Sequence, residues 1–203
     1  LTEVSGAATE RLRGIFATKF DDGSVITFAG DDDDLYKLNT STFALDSINS
    51  GYAMTGDMYW KFVRFGDEVI AGGSDSDTLQ GFTVGADSAF SDVSGAPAAR
   101  QLAVIRDFVV TGNVSYSGGT HRSRVRWSAI NDATSWTIGT NQADFQDIPD
   151  AGQITGLVGG EYGVVLLEKA IARMQYVGSP LIFTFEIVET NHGCNYPNSV
   201  ASL

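Results

Sequence analysis

A turn followed by two β-branched residues recurs along the whole chain, and this repeat constrains the fold more than any other feature. The first valines of its four copies lie 44, 40 and 55 residues apart. A spacing of about 40 to 50 residues is typical of a propeller blade built from four short strands. One such sheet cannot bury both of its apolar faces, so neighbouring sheets must stack and share their cores. The repeat therefore predicts an all-β propeller, with copies at residues 21–26, 66–70, 106–110 and 159–165.

The composition agrees with many short strands. Hydrophobic residues make up 43% of the chain, which is enough for a sizeable core. Twenty-three glycines, four prolines and 11% aromatic residues favour tight turns and half-buried pleated surfaces over helices. No apolar run of 18 residues is present, so we expect no membrane-spanning helix.

We expect one β-propeller domain, or a fragment of one, over residues 1–203. The outer strand of the third blade is predicted at residues 136–138, and the polar stretch 139–152 is predicted to be a long loop. The predicted blades are approximately 11–50, 58–96, 99–139 and 152–190, with a further blade beginning near residue 193.

The chain is strongly acidic. Twenty-five acidic residues and thirteen lysines and arginines give a net charge of −12 at pH 7. This charge opposes general affinity for nucleic acid, because phosphate binding depends on cationic side chains that displace counterions. It fits a solvated surface without a special partner, and it also fits a surface past which a polyanion slides.

One basic stripe interrupts this acidity. Arg122, Arg124 and Arg126 alternate along a predicted strand and should therefore point from one face. They either pair with acids of a neighbouring loop or subunit, or contact the phosphates of DNA, with His121 as a fourth candidate.

Acidic turns are the candidate cation sites. Residues 31–34 are four consecutive aspartates, and Asp75 and Asp77 are separated by one residue. Carboxylates at such spacing could hold calcium, but no known calcium-loop pattern is complete, so we expect both turns to be solvated hairpin tips.

The sequence predicts no metal site, no cofactor and no catalytic residue. His121 and His192 have no partner at metal-ligand spacing, and His192 with Cys194 supplies too few donors for zinc. We expect Cys194, the single cysteine, to be a small buried apolar group.

Three segments in the C-terminal half carry a family resemblance. Residues 127–136 contain a serine followed by an Asp-x-x-x-Trp run, residues 147–150 form an Asp-containing loop, and residues 193–200 read Gly-Cys-x-x-Pro-x-Ser-Val. In this order the chain resembles the tail hub or nozzle proteins of short-tailed bacteriophages, also called packaged-DNA stabilisation proteins. Residues 10–14 and 35–38 are also similar to this family, so the resemblance covers most of the chain.

The resemblance implies a non-catalytic virion protein rather than an enzyme. It implies a homo-oligomeric, six-membered ring below the portal and its adaptor that extends the DNA channel and helps to retain or deliver the genome. The implied partners are the portal or adaptor, tail fibre or needle proteins and, transiently, the genomic DNA. The implied location is the phage tail, after assembly in the host cytoplasm. Members of this family are considerably longer, so the resemblance also implies blades beyond Val200.

Two other functions remain open. Residues 131–136 superficially resemble the Asp-box turn of sialidase-like propellers, which favours a glycan-binding or glycan-cleaving protein. The turn lacks the required glycine and occurs once, and we expect Trp60, Trp127 and Trp136 to be blade core rather than sugar platforms. A general intracellular scaffold propeller is the third reading.

Overall fold

The computed structural model describes residues 8, 10–116 and 118–200, and every regular element among them is a β-strand. These residues form sixteen strands and no helix, so none of them belongs to a helix that could cross a membrane. The strands are β1 Gly14–Lys19, β2 Val25–Gly30, β3 Asp34–Leu38, β4 Leu45–Ser50, β5 Lys61–Phe65, β6 Glu68–Gly72, β7 Gln80–Thr83, β8 Ser91–Asp92, β9 Ala98–Ile105, β10 Phe108–Tyr116, β11 Gly119–Trp127, β12 Asp144–Asp147, β13 Ile154–Val158, β14 Gly163–Leu167, β15 Ala170–Gly178 and β16 Ile182–Thr190.

The strands pair in chain order into four antiparallel sheets of four strands each. The first sheet contains β1–β4, the second β5–β8, the third β9–β12 and the fourth β13–β16. Each copy of the sequence repeat lies at the first hairpin of one sheet. The predicted all-β, propeller-like architecture is therefore confirmed.

The hydrophobic core lies between successive sheets. The first core joins the first and second sheets around Phe28 and Phe82, and the second core joins the second and third sheets around Ile70 and Val109. The third core joins the third and fourth sheets around Phe108. Each of the two middle sheets is thus covered on both faces, which is how stacked repeats share stability.

The three tryptophans are distributed over these cores. Trp60 belongs to the first core, Trp136 to the second and Trp127 to the third, and they are 4%, 2% and 2% exposed. Each indole N–H donates to a backbone carbonyl at 2.8–2.9 Å. The prediction that these residues are blade core is confirmed, and none of them offers a face for a sugar ring.

The predicted outer strand of the third blade was wrong. Residues 136–138 do not form a strand, and β12 pairs with β11 instead, so that Asp147 lies opposite Arg124 and Phe145 opposite Arg126. The indole of Trp136 is buried in the second core, and its ring nitrogen bonds the carbonyl of Ala133. Because this side chain is buried, residues 136–138 do not extend along β11. The fourth strand of the sheet is instead β12, which lies within the stretch 139–152 that was predicted to be a loop.

Candidate functional site

Arg124 forms a bidentate ion pair across β11 and β12. Its Nε and Nη2 donate to the two carboxylate oxygens of Asp147 at 2.7 and 2.8 Å, and its guanidinium lies 3.9 Å from the centre of the Phe145 ring. These hydrogen bonds hold the pKa of Asp147 below its ordinary value. Arg124 therefore pairs with an acid of the neighbouring strand of its own sheet.

We expect Arg124→Gln to raise the pKa of Asp147. Because folding lowers this pKa, the pair stabilises the fold above the ordinary carboxyl range, and that contribution is lost as the pH falls through the lowered pKa. An NMR titration of the Asp147 carboxyl carbon measures the shift. Arg173→Gln, which removes an exposed pair with Glu186 in the fourth sheet, is the matched control and should leave Asp147 unchanged. An unchanged Asp147 titration in Arg124→Gln would contradict this assignment.

Arg126 is a buried cation without a carboxylate partner among the described residues. It is 2% exposed and lies between the rings of Tyr116 and Trp136, 4.1 and 5.7 Å from their centres. Its Nη2 donates to the carbonyls of Trp136 and Gly95 at 2.6 and 3.2 Å, and burial lowers its pKa. Arg126 thus fastens the third sheet to the second core, and contact with an external phosphate would require Tyr116 to move.

An irregularity in β11 interrupts the regular alternation of the three arginines. Between the pairs Gly112–Val125 and Val114–His121, three residues of β11 stand opposite one residue of β10. The exposed Arg122 donates from Nη1 to Oε1 of Gln153 at 3.1 Å. The three guanidinium groups therefore do not form one open stripe, and contact of these residues with DNA or another subunit stays a prediction.

The acidic turn at residues 31–34 is not the solvated tip that we predicted. Asp31 is fully buried and accepts hydrogen bonds from the Tyr36 hydroxyl at 2.6 Å and from the backbone N–H groups of Asp33 and Asp34 at 3.0 and 2.8 Å. Burial alone would raise the pKa of Asp31, but these hydrogen bonds lower it overall. The neighbouring Asp32 pairs with Arg13. Asp31 and Asp32 are therefore paired within the fold and stabilise this turn.

The second acidic turn, which contains Asp75 and Asp77, is paired with an arginine of the third sheet. Arg100 of β9 donates to both carboxylate oxygens of Asp75 at 2.8 and 2.6 Å and to Asp57 at 2.7 Å. It thereby ties the start of the third sheet to the two loops that flank the first hairpin of the second sheet. Across the described ranges, no three histidine, cysteine, aspartate or glutamate side chains are arranged to hold a metal ion.

Cys194 is not the buried apolar group that we predicted. It is partly exposed, and its Sγ lies 3.4 Å from both the Tyr196 carbonyl and the Ser199 hydroxyl. Its backbone N–H donates to the Leu167 carbonyl at 2.8 Å, and its own carbonyl accepts from Thr155. The residue fixes the segment after β16 against the fourth sheet, so its role depends on its backbone.

A peripheral cleft of about 570 Å³ lies between the turns of the second and third sheets. Its lining includes Glu68, Asp132, Arg64 and Arg106. Burial, followed by the negative charges of Asp132 and Asp87, raises the pKa of Glu68. A carboxyl group with a raised pKa beside a second carboxylate can act as a general acid.

A second concave site, the first-strand cavity, lies between the first strands of the second, third and fourth sheets. It measures about 270 Å³, and its lining includes Lys61 and Gln101. Sequence reasoning missed both concave sites, because their residues come from separate repeats. The one available signal was Lys61, a cationic residue at the start of β5.

No protein-family model matches the chain, and no curated protein matches it. The resemblance to phage tail hub and nozzle proteins accordingly rests on the sequence motifs alone.

Proposed function

We propose that the chain is a non-catalytic virion structural protein, a subunit of a phage tail hub or nozzle ring. The observation that carries this proposal is where the motifs of the resemblance lie. Trp127 and Trp136 occupy the third and second cores, and residues 193–194 fasten the chain to the end of β14. Motifs that serve packing fit a mechanical component better than a catalyst.

The stacking of the sheets supports the same proposal. Three shared cores are reinforced by charged contacts between sheets, such as Arg100 with Asp57 and Asp75, and Arg64 with Asp21. A block held in this way resists deformation along the stack. Its net charge of −12 would repel a passing polyanion, so DNA would not adhere to the channel wall.

The proposal is tested in the phage or prophage that encodes the chain. We expect deletion of the gene to give particles that package DNA and then lose it during purification, with rescue by the gene supplied in trans. Electron cryomicroscopy of complete particles should place six copies in a ring below the portal and adaptor. Deletion particles that keep their genomes and an unchanged tail would overturn the proposal.

The peripheral cleft favours a second candidate, a glycan-binding or glycan-cleaving propeller. Glu68, with its raised pKa, and Asp132 are the carboxyl groups such a site would use as acid and base. Saturable cleavage or binding of an oligosaccharide that Glu68→Gln abolishes would favour this candidate. Loss of activity in Glu186→Gln, an exposed acid of the fourth sheet outside the cleft, would instead point to a nonspecific cause.

A further inference from the structure

The first-strand cavity is walled by three different sheets. β5 contributes Lys61 and Val63, β9 contributes residues 101–104, and the end of β13 with the next residue contributes 156–159. Asn198 and Val200 from the segment after β16 border it. The cavity of about 270 Å³ lies just below the range of roughly 300 to 1,000 Å³ found for pockets that hold drug-sized ligands, so any occupant is small.

The charge of this lining is opposite to that of the protein. The chain has 25 acidic residues, yet the residues that line the cavity include Lys61 and no aspartate or glutamate. The Lys61 ammonium group makes no ion pair or hydrogen bond with any described residue, and burial lowers its pKa. A half-buried ammonium without a partner is costly, and a bound anion would offset that cost.

Gln101 provides a second, independent indication of a ligand. The residue is 6% exposed and lines the cavity, and its side-chain amide bonds no other residue in the described part of the chain. Both amide atoms keep some contact with solvent, so the amide is accessible to a molecule in the cavity. The Gln101 N–H groups are donors of the kind that a carboxylate oxygen accepts.

The lining of the cavity also includes aliphatic residues. Val63, Leu157, Val158 and Val200 contribute aliphatic side chains. An inorganic ion would leave these groups facing water, whereas an organic anion would cover them.

We propose that the first-strand cavity binds a small organic carboxylate, with the carboxylate on Lys61 and Gln101 and a short apolar body against the aliphatic walls. The site is separate from the proposed role in a phage tail and does not depend on it. A carboxylate there would also join three sheets through one ligand.

Calorimetric titration of the full chain with benzoate tests the proposal, with benzyl alcohol and inorganic phosphate as comparison probes. We expect one saturable benzoate site and at least tenfold weaker binding of both comparison probes. Lys61→Met should weaken benzoate binding at least tenfold, whereas Lys169→Met, at an exposed lysine, should leave it unchanged.

A second measurement uses the native chain, so its result does not depend on whether Lys61→Met folds correctly. Benzoate should slow the acetylation of Lys61 by acetic anhydride and leave that of Lys169 unaffected, as measured by peptide mass spectrometry. Absence of saturable benzoate binding, equal binding of phosphate, or acetylation of Lys61 that benzoate does not slow would each overturn the proposal.

Discussion

Trp136→Ala is expected to lower the free energy of unfolding by about 3–5 kcal/mol, the range for truncation of a large buried aromatic side chain. The Trp136 ring fills the second core, and its N–H bonds the Ala133 carbonyl at 2.8 Å. It also covers one face of the buried Arg126 guanidinium. The substitution therefore opens a cavity, leaves a carbonyl without its donor and uncovers a buried charge. Urea unfolding followed by far-ultraviolet circular dichroism measures the loss.

Ile138→Ala is the matched control for Trp136→Ala. Ile138 lies two residues further along the same segment and is 43% exposed, so its truncation should change the stability by no more than about 0.5 kcal/mol. Equal losses in the two variants would show that the segment, rather than the buried indole, determines the stability.

The architecture was largely predictable because it follows from local chemistry repeated at a fixed interval. A turn followed by two β-branched residues makes a hairpin wherever it occurs, and all four copies do so. The burial of Trp60, Trp127 and Trp136 was predictable for a related reason. A stacked array of sheets offers large aromatic side chains more buried than exposed positions, and each indole N–H finds a carbonyl nearby.

The errors concern interactions between segments that are distant in sequence. Alternation alone placed Arg122 with Arg124 and Arg126, but β11 pairs irregularly with β10, Arg124 is paired with Asp147 and Arg126 is buried. Four consecutive aspartates predict a solvated turn. Asp31 is nevertheless buried, because the Tyr36 hydroxyl and two backbone N–H groups donate hydrogen bonds to its carboxylate. Neither the irregular register of β11 nor the hydrogen-bond partners of Asp31 can be predicted from the local sequence.

The candidate sites were the least predictable part of the molecule. Lys61 and Gln101 are forty residues apart and belong to different repeats, and they meet only because the first strands of successive sheets lie side by side. The same reasoning applies to Glu68 and Asp132 in the peripheral cleft. A repeat predicts its own sheet, whereas a site between sheets depends on how the sheets stack.

That stacking depends on close backbone contact between the third and fourth sheets at Gly159. A β-carbon at this position would overlap the carbonyl oxygen of Val104 and lie 3.0 Å from its carbonyl carbon. Beside it, the Gly160 N–H donates to the Val104 carbonyl at 3.0 Å, and the Arg106 N–H donates to the Gly160 carbonyl at 2.8 Å. We expect Gly159→Ala to force β9 and β13 apart and to cost about 3 kcal/mol, the upper part of the usual range for overpacking.

Gly119→Ala separates this steric effect from the general effect of replacing a glycine. A β-carbon at Gly119 would meet nothing closer than the His121 ring at 3.4 Å, and that side chain can move. Its expected effect on stability is within about 0.5 kcal/mol. Amide hydrogen exchange gives the local readout, because the Gly160 and Arg106 amides should lose protection in Gly159→Ala and keep it in Gly119→Ala. Unchanged protection of both amides in Gly159→Ala would mean that the sheets adjust around the methyl group, and that this backbone contact does not set their spacing.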